Sequence, residues 1–117
     1  MSQNRVRIVE EALGVKLPAE YAEFVQTRGI DEAGGIEIYG YDERVQDVDR
    51  IPCVIGATRL YQSGYDLVPS EIVVAHTFYE DEIVVLDTAS GVVFSLSHEG
   101  RKKIAASFGD WMESFQI

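Results

Sequence analysis

Two uninterrupted apolar runs, Ile72-Val73-Val74-Ala75 and Ile83-Val84-Val85-Leu86, constrain this chain more than any other feature of it. A strand with one wet face alternates apolar and polar residues, so a run that is apolar at every position needs cover on both faces. Both runs are rich in β-branched residues, as strands are. The pattern predicts strands over residues 72–79 and 82–87, joined at a turn containing Glu80 and Asp81, and both central in a sheet. A third strand, residues 92–96, follows a turn at Ala89-Ser90-Gly91. These three strands form a meander, and helices must supply part of its cover.

Helical spacing appears at both ends of the chain. Val6, Val9 and Leu13, flanked by Ile8 and Ala12, share one face of a first helix that Gly14 ends. Pro18 suits the first turn of a second helix, Glu20 and Glu23 lie near its positive end, Tyr21, Phe24 and Val25 form its apolar stripe, and Gly29 terminates it. After the Gly34-Gly35 turn, Ile36, Ile38 and Tyr39 around Glu37 read as a short strand closed by Gly40. Ile104, Phe108, Trp111, Met112 and Phe115 lie on one face of a C-terminal helix whose start Ser107 and Asp110 can cap. Residues 52–65 stay ambiguous, because Val54, Ala57, Leu60 and Tyr61 suit a helical face while Gly56, Gly64 and the β-branched residues suit a strand or irregular chain. The expected fold is α+β: a single domain over residues 1–117, with a central, mainly antiparallel sheet packed by two N-terminal helices and one C-terminal helix.

Charge excludes several classes of function. Ten Lys and Arg stand against 20 Asp and Glu, a formal net charge of −10. Such a surface repels phosphate backbones and anionic lipid, so direct nucleic-acid or membrane binding is not expected. Arg101-Lys102-Lys103, the only basic run, reads as a solvated face ahead of the last helix. The single cysteine, Cys53, has no internal disulfide partner, and the N-terminal residues lack the apolar stretch of a signal peptide, which together point to a reducing, cytoplasmic setting.

No residue set frames a reaction. Cys53, within Pro-Cys-Val-Ile, reads as a small buried hydrophobe, His76 as a hydrogen-bonded residue of an apolar strand, and His98 as a loop residue. Neither the histidine spacing nor the acidic clusters match a zinc or calcium pattern, and the glycines lack the spacing of a phosphate cradle, so no metal or cofactor is expected. An enzyme or small-ligand protein would need His76 to converge with a carboxylate such as Asp87 in one pocket.

The order of motifs resembles the SUKH superfamily, the Smi1/Knr4-like domains. Residues 10–25, from Glu10-Glu11-Ala12-Leu13-Gly14 through Leu17-Pro18 to Tyr21-Ala22-Glu23-Phe24, resemble that family's opening of a helix, Leu-Pro and a Tyr-x-x-Phe helix. Gly35-Ile36-Glu37-Ile38-Tyr39-Gly40 is similar to the strand after its glycine turn. Residues 83–87 followed by Gly91-Val92-Val93-Phe94 resemble its strand pair around an Asp-x-x-x-Gly turn, and Ala106-Ser107-Phe108-Gly109-Asp110-Trp111-Met112 its closing helix. The resemblance implies a non-enzymatic protein-binding module. Bacterial members, SUKH-1-like immunity proteins among them, typically neutralise toxin domains, often nucleases, of polymorphic toxin systems, whereas fungal relatives act as regulatory and scaffold proteins. The expected partner is therefore a protein, a toxin effector domain first and a cellular partner of a scaffold second. An acidic surface can complement the basic groove with which a nuclease holds phosphate. The candidate contact residues are Asp42, Glu43, Asp47 and Asp49, with Glu80, Asp81 and Glu82 as a second patch.

Overall fold

The fold was analysed in a computed structural model, which describes residues 3–43, 53–62, 64–77 and 82–114. Helices α1 (Gln3–Leu13) and α2 (Ala19–Thr27) open the chain, and strands β1 (Asp31–Ala33) and β2 (Ile36–Ile38) follow as a hairpin. Helix α3 (Val54–Tyr61) precedes β3 (Glu71–His76), β4 (Ile83–Asp87), β5 (Val93–Ser97) and β6 (Gly100–Ala105), and α4 (Phe108–Glu113) closes the described fold. The six strands form one sheet in the order of the chain, each antiparallel to its neighbours.

The expected α+β architecture and its antiparallel meander are present, with two N-terminal helices and one C-terminal helix. The first five residues of β3 and the first four of β4 are buried, as the two apolar runs require. Ser107 caps α4, its hydroxyl accepting from the backbone N–H of Asp110 at 3.1 Å. Gly14 and Gly29 end the first two helices with φ of +68° and +76°.

Three expectations need correction. Arg101, Lys102 and Lys103 lie within strand β6, and Ile104 belongs to that strand and not to the last helix. Asp31 to Ala33 add a further edge strand, where only a turn was expected. Pro18 precedes α2 at its N-cap, with φ −57° and ψ 148°, one residue outside the first turn. The ambiguous segment contains α3, whose residues Val54, Ile55, Gly56, Ala57 and Thr58 are all buried. Of the remaining calls on turns and helix ends, Glu80, Asp81 and Phe115 lie outside the described residues.

The helices attach to the sheet through polar joints as well as apolar contact. Tyr21, fully buried on α2, donates its hydroxyl to the carbonyl of Tyr39 at 2.6 Å. Burial holds this phenol well above its usual pKa, so it stays a donor. The Phe108 ring of α4 meets Tyr21 edge-on at 4.9 Å and Phe24 at 5.5 Å, so α2 and α4 share an aromatic cluster. On α3 the hydroxyl of Thr58 accepts from the backbone N–H of Val73 at 2.9 Å. The short β2 pairs with β3 only at Ala75, so Thr58 satisfies a buried strand donor that β2 does not reach.

A tight crossing joins the N-terminal hairpin to α3. The carbonyl of Gly29 accepts from Tyr41 N–H at 3.1 Å, and that of Gly40 accepts from Val54 N–H at 2.8 Å. A Cβ on Gly40 would overlap the Gly29 carbonyl oxygen, whereas one on Gly64 would meet open space. Gly40→Ala is therefore expected to destabilise the protein by about 3 kcal/mol or more, and Gly64→Ala to stay within about 0.5 kcal/mol of the parent. Urea titration followed by tryptophan fluorescence measures both.

Candidate protein-interaction surface

Of the acidic residues named as candidate contacts, Asp42, Glu43 and Glu82 are among the described residues. Glu43 is exposed and paired with Arg5, whose Nη2 lies 2.6 Å from Oε1. The same guanidinium donates through Nη1 to the carbonyl of Gln26 at 3.2 Å, so one side chain of α1 ties the end of α2 to the root of the acidic segment. The hydrogen bond from Arg5 is the main cause that lowers the Glu43 pKa to about 2. Asp42 is a correction to the expected contact set. Its 3% exposure places it inside, beside Gly29, as part of the packing that a partner could not reach. Asp47, Asp49, Glu80 and Asp81 lie outside the described residues.

The strand register locates Glu43 and Glu82. Beyond Ile38, which pairs with Ala75, the chain runs past Val74 toward the start of β3 before it reaches Glu43. Glu82, half-buried, stands at the other end, next to the Ile83 that pairs with His76. Glu82 therefore adjoins the end of β3, whereas Glu43 follows the stretch that leaves β2 in the direction of the start of β3.

The same register tests the pairing of His76 with Asp87. His76 faces Ile83 across the ladder and Asp87 faces Glu71, so the two are about 13 Å apart along the strands. His76 instead stacks on Tyr61 with ring centroids 6.0 Å apart, and its Nδ1 lies 2.8 Å from the Thr77 carbonyl. Asp87 serves the β4–β5 turn, accepting from the hydroxyls of Ser70 at 2.8 Å and Ser90 at 2.9 Å and from Ala89 N–H at 3.1 Å. Burial pushes its pKa up, but these bonds and the charge of Arg101 outweigh that and hold it below the usual value. Among the described residues, no group of three His, Cys, Asp or Glu side chains could hold a metal ion.

Pattern reading missed a second charged cluster. Arg101 of β6 reaches across the sheet to Glu71 of β3 and makes a two-pronged ion pair, with Nη2 3.0 Å from Oε1 and Nη1 against Oε2. Its guanidinium carbon lies 5.2 Å from the centroid of the Phe94 ring on the intervening β5. Glu71 also accepts from Val68 N–H at 3.0 Å, which pins the segment entering β3. Beside this pair a cleft of about 430 Å³ opens between Tyr65, Asp66 and the β5–β6 hairpin, with Leu96, His98 and Arg101 in its wall. The Arg-Lys-Lys run and the Glu that heads the apolar β3 are visible in the sequence, but nothing local joins residues 30 positions apart.

The fold and its surface permit comparison with known families. The family model SUKH_5, described as SMI1-KNR4 cell-wall, matches residues 1–116. The chain belongs to this SUKH family. The match covers both charged clusters and all ten elements, and the superfamily is the one the motifs resemble, with SUKH_5 as the matching subgroup. Comparison with curated proteins finds no match. Among the described residues of this SUKH domain, no helix is long and apolar enough to cross a membrane.

Two outcomes test the ion pairs. Glu43 has a folded pKa of about 2 against an ordinary 4.5, so its contribution to stability is present above pH 4.5 and is lost as pH falls toward 2. Arg5→Met should return the Glu43 titration midpoint toward 4.5, read by carboxyl carbon NMR, and should flatten the fall in stability over that interval. The side chain of Glu71 is 3% exposed and that of Arg101 36%. Arg101→Leu strands a buried carboxylate and should cost about 3 kcal/mol, whereas Glu71→Gln leaves a cation that water can reach and should cost less. Thermal and urea unfolding of the two variants give the order.

Proposed function

We propose that this SUKH domain is a non-enzymatic, cytoplasmic immunity protein that binds and neutralises a bacterial toxin domain. The observation that carries this reading is the family match over residues 1–116, together with the immunity role typical of the bacterial proteins the motifs resemble. The net charge of −10 supports a mechanism in which the protein covers a basic, phosphate-holding groove such as that of a nuclease. Glu43 is the natural first contact. It is exposed, its ionisation is secured by Arg5, and the segment that carries Asp47 and Asp49 follows it in sequence. Glu80, Asp81 and Glu82 would form a second contact, beside the end of β3 that Glu82 adjoins. Asp42 is left out of the contact set, since it is buried.

A regulatory or scaffolding domain without a toxin partner is the second reading, which the same family likeness supports. Partner identity separates the two.

Affinity capture with the tagged protein, followed by growth assays, tests the proposal. The expected result is a stoichiometric partner carrying a toxin or nuclease-like domain, lost in a high-salt wash, whose expression arrests growth and whose arrest is relieved by co-expressing this protein. The triple variant Glu43→Lys/Asp47→Lys/Asp49→Lys should weaken the complex at least about tenfold at low salt and reduce its salt dependence. A partner of housekeeping function, with no growth arrest to relieve, would overturn the immunity reading in favour of the scaffold.

A further inference from the structure

The sheet has two outer strands of opposite charge. On one side β1 carries Asp31 and Glu32, and on the other β6 carries Arg101, Lys102 and Lys103. Among the described residues no strand pairs with the outer side of β6, and its first five residues are exposed. An outer strand presents N–H and C=O groups that a further extended chain can use. β6 runs in straight register with β5 over residues 100–103, where Lys103, Lys102, Arg101 and Gly100 face Phe94, Ser95, Leu96 and Ser97. The register then shifts, so that Ile104 is passed over between Lys103 and Ala105. The regular part of the edge thus coincides with the basic run, and Gly100 and Arg101 also line the 430 Å³ cleft.

We propose that the outer edge of β6 docks an extended acidic segment of a partner protein, which adds a seventh strand along residues 100–103 and places one apolar side chain in the adjoining cleft. Main-chain hydrogen bonds supply the attachment, and charge selects the occupant. Arg101 is engaged with Glu71, so the selecting cations are Lys102 and Lys103. Lysines on an edge strand also discourage unwanted pairing. Here the two effects agree, because the charges that set one β6 against a second β6 attract a strand carrying carboxylates. A second copy offers no better match through β1, which is three residues long and whose Asp31 is paired with Arg28 at 3.5 Å. The cleft is mixed in character, with Leu96 and Tyr65 beside Arg101 and Asp66, and its volume is in the range of ordinary ligand pockets. At physiological salt, charges more than about 8 Å apart are largely screened, so the docked segment meets the local lysines more than the overall −10. The proposal rests on the basic edge strand and not on the acidic residues of the toxin reading.

Backbone NMR of the full chain at physiological salt tests the proposal, with a synthetic peptide of alternating Val and Glu as the probe and an alternating Val and Lys peptide as its match. The expected result is saturable movement of the amide signals of residues 100–103 and 96–98 with the Val-Glu peptide alone. Lys102→Glu/Lys103→Glu, at exposed positions where the fold should persist, should weaken that binding about tenfold and create binding of the Val-Lys peptide. Retained signal dispersion confirms that the variant is folded. No movement at these amides, equal binding of both peptides, movement confined to other residues, or the same shifts appearing on concentrating the protein alone would each overturn the proposal.

Discussion

Strands β3 and β4 bury nearly every residue along their length, and a hairpin without a polar face leaves the chain two surfaces to cover instead of one. The remaining elements can be understood as answers to that demand. Helix α3 packs against β3, and its Thr58 hydroxyl accepts from the Val73 N–H, which the short β2 does not reach. The aromatic cluster of Tyr21, Phe24 and Phe108 joins α2 to α4 in the same core. Even the charged Arg101 lies over the Phe94 ring, with its guanidinium held by Glu71, so that its head is neutralised.

The charged pairs act on position more than on stability. A buried pair gains little net free energy once both partners are desolvated, but removing one partner is expensive, so such a pair fixes a register firmly. Arg101 and Glu71 link the last strand to the first strand of the C-terminal meander across two others. Arg5 and Glu43 do the corresponding work at the surface, where one guanidinium holds the end of α2 and the start of the acidic segment together.

How much of this was legible in the sequence follows from what periodicity detects. It senses burial, so β3, β4 and the stripe of α2 were readable, whereas β6, with its first five residues exposed, looked like solvated chain. The three residues of β1 failed for the same reason. Helix α3 failed for the opposite one. Its first five residues, Val54, Ile55, Gly56, Ala57 and Thr58, are all buried and exposure begins only at Arg59 and Leu60, so that run has no stripe to distinguish it from a core strand. Asp42 and Glu43 are adjacent acids of the same composition, and only tertiary packing turns one inward and leaves the other outside. Partner surfaces read from acidic content alone inherit that blindness. The family likeness fared better because it rests on the order of turns and packing residues, which the fold preserves.

The bond from Gly109 N–H to the Glu20 carboxylate closes a separation of 89 residues. Protein synthesis runs from the N-terminus, so α2 leaves the ribosome long before the strands and the helix it packs against exist. Until then Tyr21 and Phe24 have no core to enter. The four C-terminal strands, by contrast, are neighbours both in sequence and in the sheet, and they can zip together through short connections as soon as they emerge. Packing of α2 against α4 therefore waits for a segment made 89 residues later, and until then the aromatic face of α2 is exposed.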